Sequence, residues 1–242
     1  MYSIETISLT KKYKDVTAVD GLELKVLKGE IFSLLGVNGA GKTTAIRMLS
    51  CLAQPTSGTA VVGGADLLRE SESIKRMIAI SPQESAVAPG LSVRENLELI
   101  AGAYGFGKEK TEEKIRELSA TFGLTPVLDK RAGKLSGGWQ RRLSIAMALI
   151  SEPKILFLDE PTLGLDVIAR SELWDVIRSL KGRATVILTT HYMEEAEALS
   201  DRIGIMKSGK LLTVGTASEI MELTGKSRFE EAFISVVKEA SV

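Results

Sequence analysis

Two stretches carry residue types and spacings suited to phosphate chemistry. GVNGAGKT, Gly36 to Thr43, follows the G-x-x-x-x-G-K-[ST] spacing in full. Glycines at its first and sixth positions let the backbone curl, so that several N–H groups point inward at a β-phosphate. A helix N-terminus behind the loop adds about half a positive charge. In this pattern Lys42 reaches the β- and γ-phosphates, and the Thr43 hydroxyl ligates Mg²⁺. LSGGWQRR, Leu135 to Arg142, is the second stretch: a serine and two glycines opening the helix-like run SIAMALI. It has no lysine, and read alone it is an N-capped helix.

A phosphate loop needs a carboxylate partner for the metal. ILFLDE supplies two acids, Asp159 and Glu160, at the end of an apolar run. A buried strand delivers such residues to its C-terminal end, where α/β folds place ligands. There Asp159 would hold Mg²⁺, mostly through water, and Glu160 would polarise the attacking water. His191 is the only histidine and directly follows the strand-like ATVILTT. That places it on the same edge, within reach of a γ-phosphate.

The elements that must position these residues are legible from periodicity. SIETISLT and LELKVL alternate as strands, with KGE and SGT as turns; IFSLL and MIAIS are further strands, and KTTAIRMLSCLA is a helix. From about Leu91 the character turns helical. LSVRENLELIAGAYG has a Ser92/Glu95 capping box, TEEKIRELSATFG stops near Gly123, and LSGG opens a third helix. β/α alternation then returns. DVIARSELWDVIRSLKG is a helix with Leu173, Ile177 and Leu180 on one face, closed by Gly182. YMEEAEALSD is another helix, RIGIMKSGKLLTVG a hairpin turning at Ser208-Gly209, and SRFEEAFISVV a short helix capped by Ser227 and Glu230.

Composition bounds the function. The 242 residues carry 31 basic and 31 acidic side chains, without the basic excess of a protein that grips nucleic acid. Cys51 cannot form an internal disulfide; a buried packing role and a reducing compartment are expected. MYSIETISLTKKYKD lacks the apolar core of a signal peptide. No apolar run approaches the ~20 residues of a membrane span.

In order along the chain, GVNGAGKT, Gln83 in SPQES, LSGGWQRR, ILFLDE, LGLD and His191 resemble the motifs of the ATP-binding cassette (ABC) ATPases. The resemblance runs from Tyr13 to the tail. It implies an α/β, P-loop NTPase fold with a RecA-like parallel-sheet core, an antiparallel β subdomain and an α-helical signature subdomain. The expected division is a core at about 1–85 and 153–216, a helical subdomain at about 86–152 and a helical tail at about 217–242. It implies ATP and Mg²⁺ as cofactors. ATP would be bound by Tyr13, stacked on adenine, and by Gly36, Asn38, Gly39, Ala40, Gly41, Lys42, Thr43 and Thr44. Thr43, Gln83 and Asp159 would serve the metal, and Glu160, His191 and Gln83 the hydrolysis.

The same resemblance explains the second glycine stretch. In ABC proteins two cassettes pair head to tail, and Ser136, Gly137 and Gly138 would meet the γ-phosphate held by the partner, with Asp166 at the interface. The implied partners are a second copy or paralogous cassette and separate transmembrane permease subunits, reached through the helical insert and a segment at about Glu84 to Arg94. The implied place is the cytoplasmic face of the membrane. The motif wording is most similar to exporter ATPases of the drug, antibiotic and polysaccharide type. The alternatives are an importer ATPase, which often carries a long C-terminal domain, and a soluble ABC ATPase of DNA or ribosomes. DNA-type members have a long coiled coil between P-loop and signature, and ribosome-type members usually have two cassettes. Two positions depart from the family pattern: Trp139 where glutamine is usual, and Leu163 where serine is usual.

Overall fold

The computed structural model describes residues 1–84 and 86–240. The front of the chain folds as β1 (Tyr2–Tyr13), β2 (Val16–Leu22), β3 (Lys25–Leu27) and β4 (Ile31–Leu35), followed by α1 (Lys42–Leu49), β5 (Ser57–Val62), β6 (Ala65–Asp66), α2 (Ser71–Lys75) and β7 (Ile78–Ser81). Three helices come next: α3 (Val93–Ala103), α4 (Lys108–Thr121) and α5 (Gly137–Leu149). Alternation resumes with β8 (Ile155–Asp159), α6 (Val167–Ser179), β9 (Thr185–Thr190) and α7 (Met193–Leu199). The chain closes on β10 (Arg202–Lys207), β11 (Lys210–Gly215), α8 (Ala217–Thr224) and α9 (Phe229–Glu239).

Two sheets result. One runs β11-β10-β4-β9-β8-β7, parallel throughout except for the β10–β11 hairpin. The other is antiparallel, β2-β1-β5-β6, with β3 also paired to β1. β4, β8 and β9 are buried at every residue, as strands covered on both faces must be. Their period of two divides the core. Leu156 and Leu158 of β8 face the helical side with Leu143 and Leu173, while Ile155 and Phe157 face α1 and the antiparallel sheet. The tail belongs to the fold: Phe229, Phe233 and Val236 of α9 pack on Leu35, Ile203 and Ile205.

The mixed α/β architecture with a helical stretch inside it follows the expectation, and the Ser92/Glu95 box is formed. Some local expectations fail. SGT opens β5 rather than a turn: Gly58 takes φ +75° where its Cβ would lie 2.2 Å from the Ser8 carbonyl oxygen, at an irregularity of the β1–β5 register. LELKVL is divided between β2 and β3. Ser227 and Glu230 make no capping box; Arg228 is the N-cap and Glu230 pairs with it at 3.2 Å, because burial of Phe229 sets where α9 begins. The cap signal instead belongs to α8, an element the periodicity did not reveal, where Thr216 and Glu219 form the box. The expected packing role of Cys51 is met in part: left-handed (φ 60°) just past the end of α1, it is half-buried against the core cluster of Met48 and Leu49, and burial raises its thiol pKa.

Candidate functional site

Strand register brings the chemistry together. In the parallel sheet Leu35 pairs with Thr190 and Asp159 with Thr189. The loops leaving β4, β8 and β9 therefore emerge side by side at the C-terminal edge, the ligand edge of such sheets. Ser81 ends β7 on the same edge and leads to Gln83.

The loop from Gly36 to Gly41 is shaped by close approach. A Cβ on Gly36 would lie 2.4 Å from the Met206 carbonyl oxygen. One on Gly41 would lie 2.3 Å from that of Ala18, and Gly41 caps α1 at φ 101°. The Gly209 N–H donates to the Ala40 carbonyl at 3.0 Å, tying the β10–β11 turn to the loop. A cleft of about 650 Å³ opens here, walled by Asn38 to Thr44, Val16 to Ala18, Gln83, Glu160, Leu163, His191 and Ser208.

Lys42 is 5% exposed, and its Nζ donates to the Gly36 carbonyl at 2.7 Å and the Val37 carbonyl at 3.3 Å. It also lies 3.3 Å from Glu160 Oε1. The other carboxylate oxygen, Glu160 Oε2, is 2.7 Å from His191 Nδ1. Asp159 lies beneath: its Oδ1 accepts from the Thr43 hydroxyl at 3.1 Å and the Thr189 hydroxyl at 2.5 Å. Lysine, both acids, threonine and histidine, read from motifs up to 149 residues apart (42 to 191), thus form two contacting sets, Lys42–Glu160–His191 and Thr43–Asp159, joined through the Thr189 hydroxyl, which accepts from the Glu160 N–H and donates to Asp159.

Other predicted residues sit elsewhere. Tyr13 ends β1, half exposed, with Lys11 Nζ 4.9 Å from its ring centroid; it does not wall the cleft, whereas Val16 to Ala18 of β2 do. Ser136 and Gly137 are exposed at the start of α5, outside the cleft, and Ser136 makes no side-chain cap bond. Gly138 packs closely, a Cβ there lying 3.1 Å from Ala169 Cβ. Asp166 caps α6, accepting from the N–H groups of Ile168 and Ala169. Trp139 packs on the helical core beneath the Arg142 guanidinium, and Leu163 walls the cleft. The expected coupling segment, Glu84 to Arg94, includes Ser85, which lies outside the described residues.

Three supporting residues escaped sequence reasoning. Arg141, inside the LSGGWQRR stretch, is 5% exposed and donates to the carbonyls of Asp159 (2.8 Å), Pro161 (2.9 Å) and Pro82. It joins α5 to both loops that carry Glu160 and Gln83. Burial pushes its pKa down to about 10. Glu195 is fully buried: Oε1 accepts from the Thr162 hydroxyl at 2.7 Å and Trp174 Nε1 at 3.1 Å, and burial raises its pKa. Thr189 bonds Asp159 directly. The signals were an arginine inside a motif, an acid one turn before Leu199 on the apolar side of a helix, and a hydroxyl at the end of an apolar strand.

Residues 19–163 match the family model described as ABC transporter. The chain is 43% identical over 221 residues, 91% of its length, to a daunorubicin resistance ATP-binding protein, DrrA3, of Streptomyces coeruleorubidus, spanning 70% of that relative. It is 40% identical over 240 residues to the probable multidrug ABC transporter ATP-binding protein YbhF of Escherichia coli (97% of this chain, 41% of YbhF). Among solved structures, an ATP-binding subunit of an ABC transporter superposes with TM-score 0.85 at 28% identity, over 96% of this chain and 98% of that one. The dimeric ATP-binding cassette MJ0796 with ADP and phosphate bound gives 0.80 at 27%, over 88% and 98%. By sequence and by fold alike, this chain belongs to the ABC transporter family, as an ATP-binding, ATP-hydrolysing cassette of a transporter.

Proposed function

We propose that the chain powers a membrane exporter by closing head to tail on a second cassette around ATP, then reopening after hydrolysis. The observation that carries this reading is the separation of two anion-binding ends. One cleft holds Lys42, Thr43, Glu160 and His191, while the N-terminus of α5, with Ser136 to Gly138, stands exposed outside it. A helix N-terminus presents free N–H groups and partial positive charge. In a paired cassette it would meet the γ-phosphate across the interface, with Asp166 beside it. Export, rather than import, is supported by the likeness to the daunorubicin-resistance protein.

Within the cleft Asn38 to Thr44 would bind the phosphates and Lys42 the β- and γ-oxygens; Gly36 makes room beneath the loop. Thr43 and Asp159 suit Mg²⁺: their oxygens already lie 3.1 Å apart, and Gln83 walls the same cleft. Bound there, the ion would neutralise charge developing on the phosphates. Glu160 would take the proton of the attacking water, with His191 holding both carboxylate and γ-phosphate. Tyr13 would reach adenine only across the exposed face next to Val16.

Residues 86–152 would act as the subdomain that carries the motion to transmembrane permease subunits, between the core and the tail. No helix of the described residues is long and apolar enough to cross a membrane, so a peripheral position on the cytoplasmic face is proposed. The test is affinity purification of the tagged chain from detergent-solubilised membranes. Near-equal recovery of a polytopic membrane protein supports the reading. Recovery with ribosomes or DNA-binding factors instead would overturn it and leave the ATPase chemistry standing.

A further inference from the structure

Glu160 is, among the described residues, the only buried non-glycine residue with positive φ (48°). L-residues avoid that region, so surrounding contacts must hold it there. Two of them come from one residue. The Glu160 N–H points at the Thr189 carbonyl (3.2 Å) and at the Thr189 hydroxyl oxygen (3.0 Å). The same hydroxyl lies 2.5 Å from Asp159 Oδ1. The proton inventory then has one solution. An amide N–H only donates, so Thr189 Oγ1 accepts from Glu160, and its own proton goes to the Asp159 carboxylate.

We propose that Thr189 is a positioning residue for hydrolysis, its single hydroxyl fixing the side chain of Asp159 and the backbone turn of Glu160 together. The register places it to do so, since Asp159 and Thr189 are direct partners across β8 and β9. It is fully buried, so no water competes for the hydroxyl. Asp159 Oδ1 has a second donor in Thr43. The Thr189 bond would therefore keep Asp159 anchored when the Thr43 hydroxyl leaves it to serve another oxygen or an ion. Through Glu160 the effect extends to His191 and Lys42, which touch the two carboxylate oxygens.

The inference rests on the proposed roles of Asp159 at the metal and Glu160 at the attacking water, and three variants separate the two claims. Thr189→Val keeps the shape and the backbone carbonyl, so the strand end stays paired. Thr189→Ser keeps the hydroxyl. Glu160→Gln tests the underlying assignment. Thr189→Val should lower kcat roughly ten- to hundredfold, with KM for ATP and MANT-ATP affinity in EDTA close to the unmodified protein and Tm lowered only by the several degrees that one lost hydrogen bond to a buried carboxylate costs. It should also weaken the tightening of MANT-ATP binding by Mg²⁺, and Thr189→Ser should restore most of the rate. Unchanged kcat in Thr189→Val, or equal loss in Thr189→Ser, sinks the proposal. So does loss of EDTA-phase binding together with the rate, which marks a merely structural residue. If Glu160→Gln itself hydrolyses normally, the assignment of the acids fails instead.

Discussion

Replacing Arg141 with methionine removes a cation while filling much of its volume with a flexible apolar chain. Three carbonyls lose their donor, those of Asp159, Pro161 and Pro82. Hydrogen bonds from a charged donor contribute about 1.5–3 kcal/mol each, roughly 4.5–9 kcal/mol for three if they add. Burying the guanidinium works against this. The drop of its pKa from 12.5 to about 10 corresponds to roughly 3 kcal/mol of net desolvation. The balance is a net loss on the order of a few kcal/mol, and because the three bonds share one planar group about 3 kcal/mol is expected. Urea unfolding of the nucleotide-free protein measures it, with an unchanged m-value showing that the native state is otherwise intact. Hydrolysis should fall as well, since the same side chain fixes the loops bearing Glu160 and Gln83. Arg141→Lys should recover little, because one ammonium cannot match a planar fork spanning three acceptors. A stability loss below ~1 kcal/mol in the methionine variant, with normal ATPase activity, would refute the clasp.

Other predictions follow from the same geometry. Glu160→Gln should bind ATP but lower kcat roughly 10²- to 10⁴-fold, accumulating as an ATP-bound dimer visible by size exclusion with light scattering; unmodified turnover would remove Glu160 from its role. Gly36→Ala places a methyl 2.4 Å from the Met206 carbonyl oxygen, so Tm and MANT-ATP affinity should fall together, and normal values for both would show that the loop can shift. Glu195 has a raised pKa because it is buried. Its folded form disfavours the charge, so the protein loses stability as pH rises from the usual carboxylate value toward the raised one. Glu195→Gln should remove that loss, and its stability relative to the parent should rise with pH in denaturant titrations; a flat difference would contradict the sign.

The phosphate-loop stretch was legible because its chemistry is local. A loop that curls around a phosphate needs glycines at fixed offsets, and GVNGAGKT shows them without any neighbour. ILFLD was legible for a different reason: a strand buried on both faces has no polar alternation to hide. Asp166 shows how far such reading goes, since its position was anticipated at an interface while its visible work is to cap α6. Tyr13 is a different case: stacking on adenine was implied by the resemblance and not by its place at a strand end, and Val16 to Ala18 on the next strand wall the cleft beside it.

By itself the sequence determined which residues can do chemistry, the order of the elements and the α/β alternation, because these follow from side-chain type and period. Only the tertiary structure decided which of them share a hydrogen bond. Thr189, Arg141 and Glu195 act through partners 30, 18 and 33 residues away. Such contacts depend on parallel-strand register and on how α5 and α7 lie against the sheet. Both are set by the packing of the whole core, which no local pattern of residues encodes.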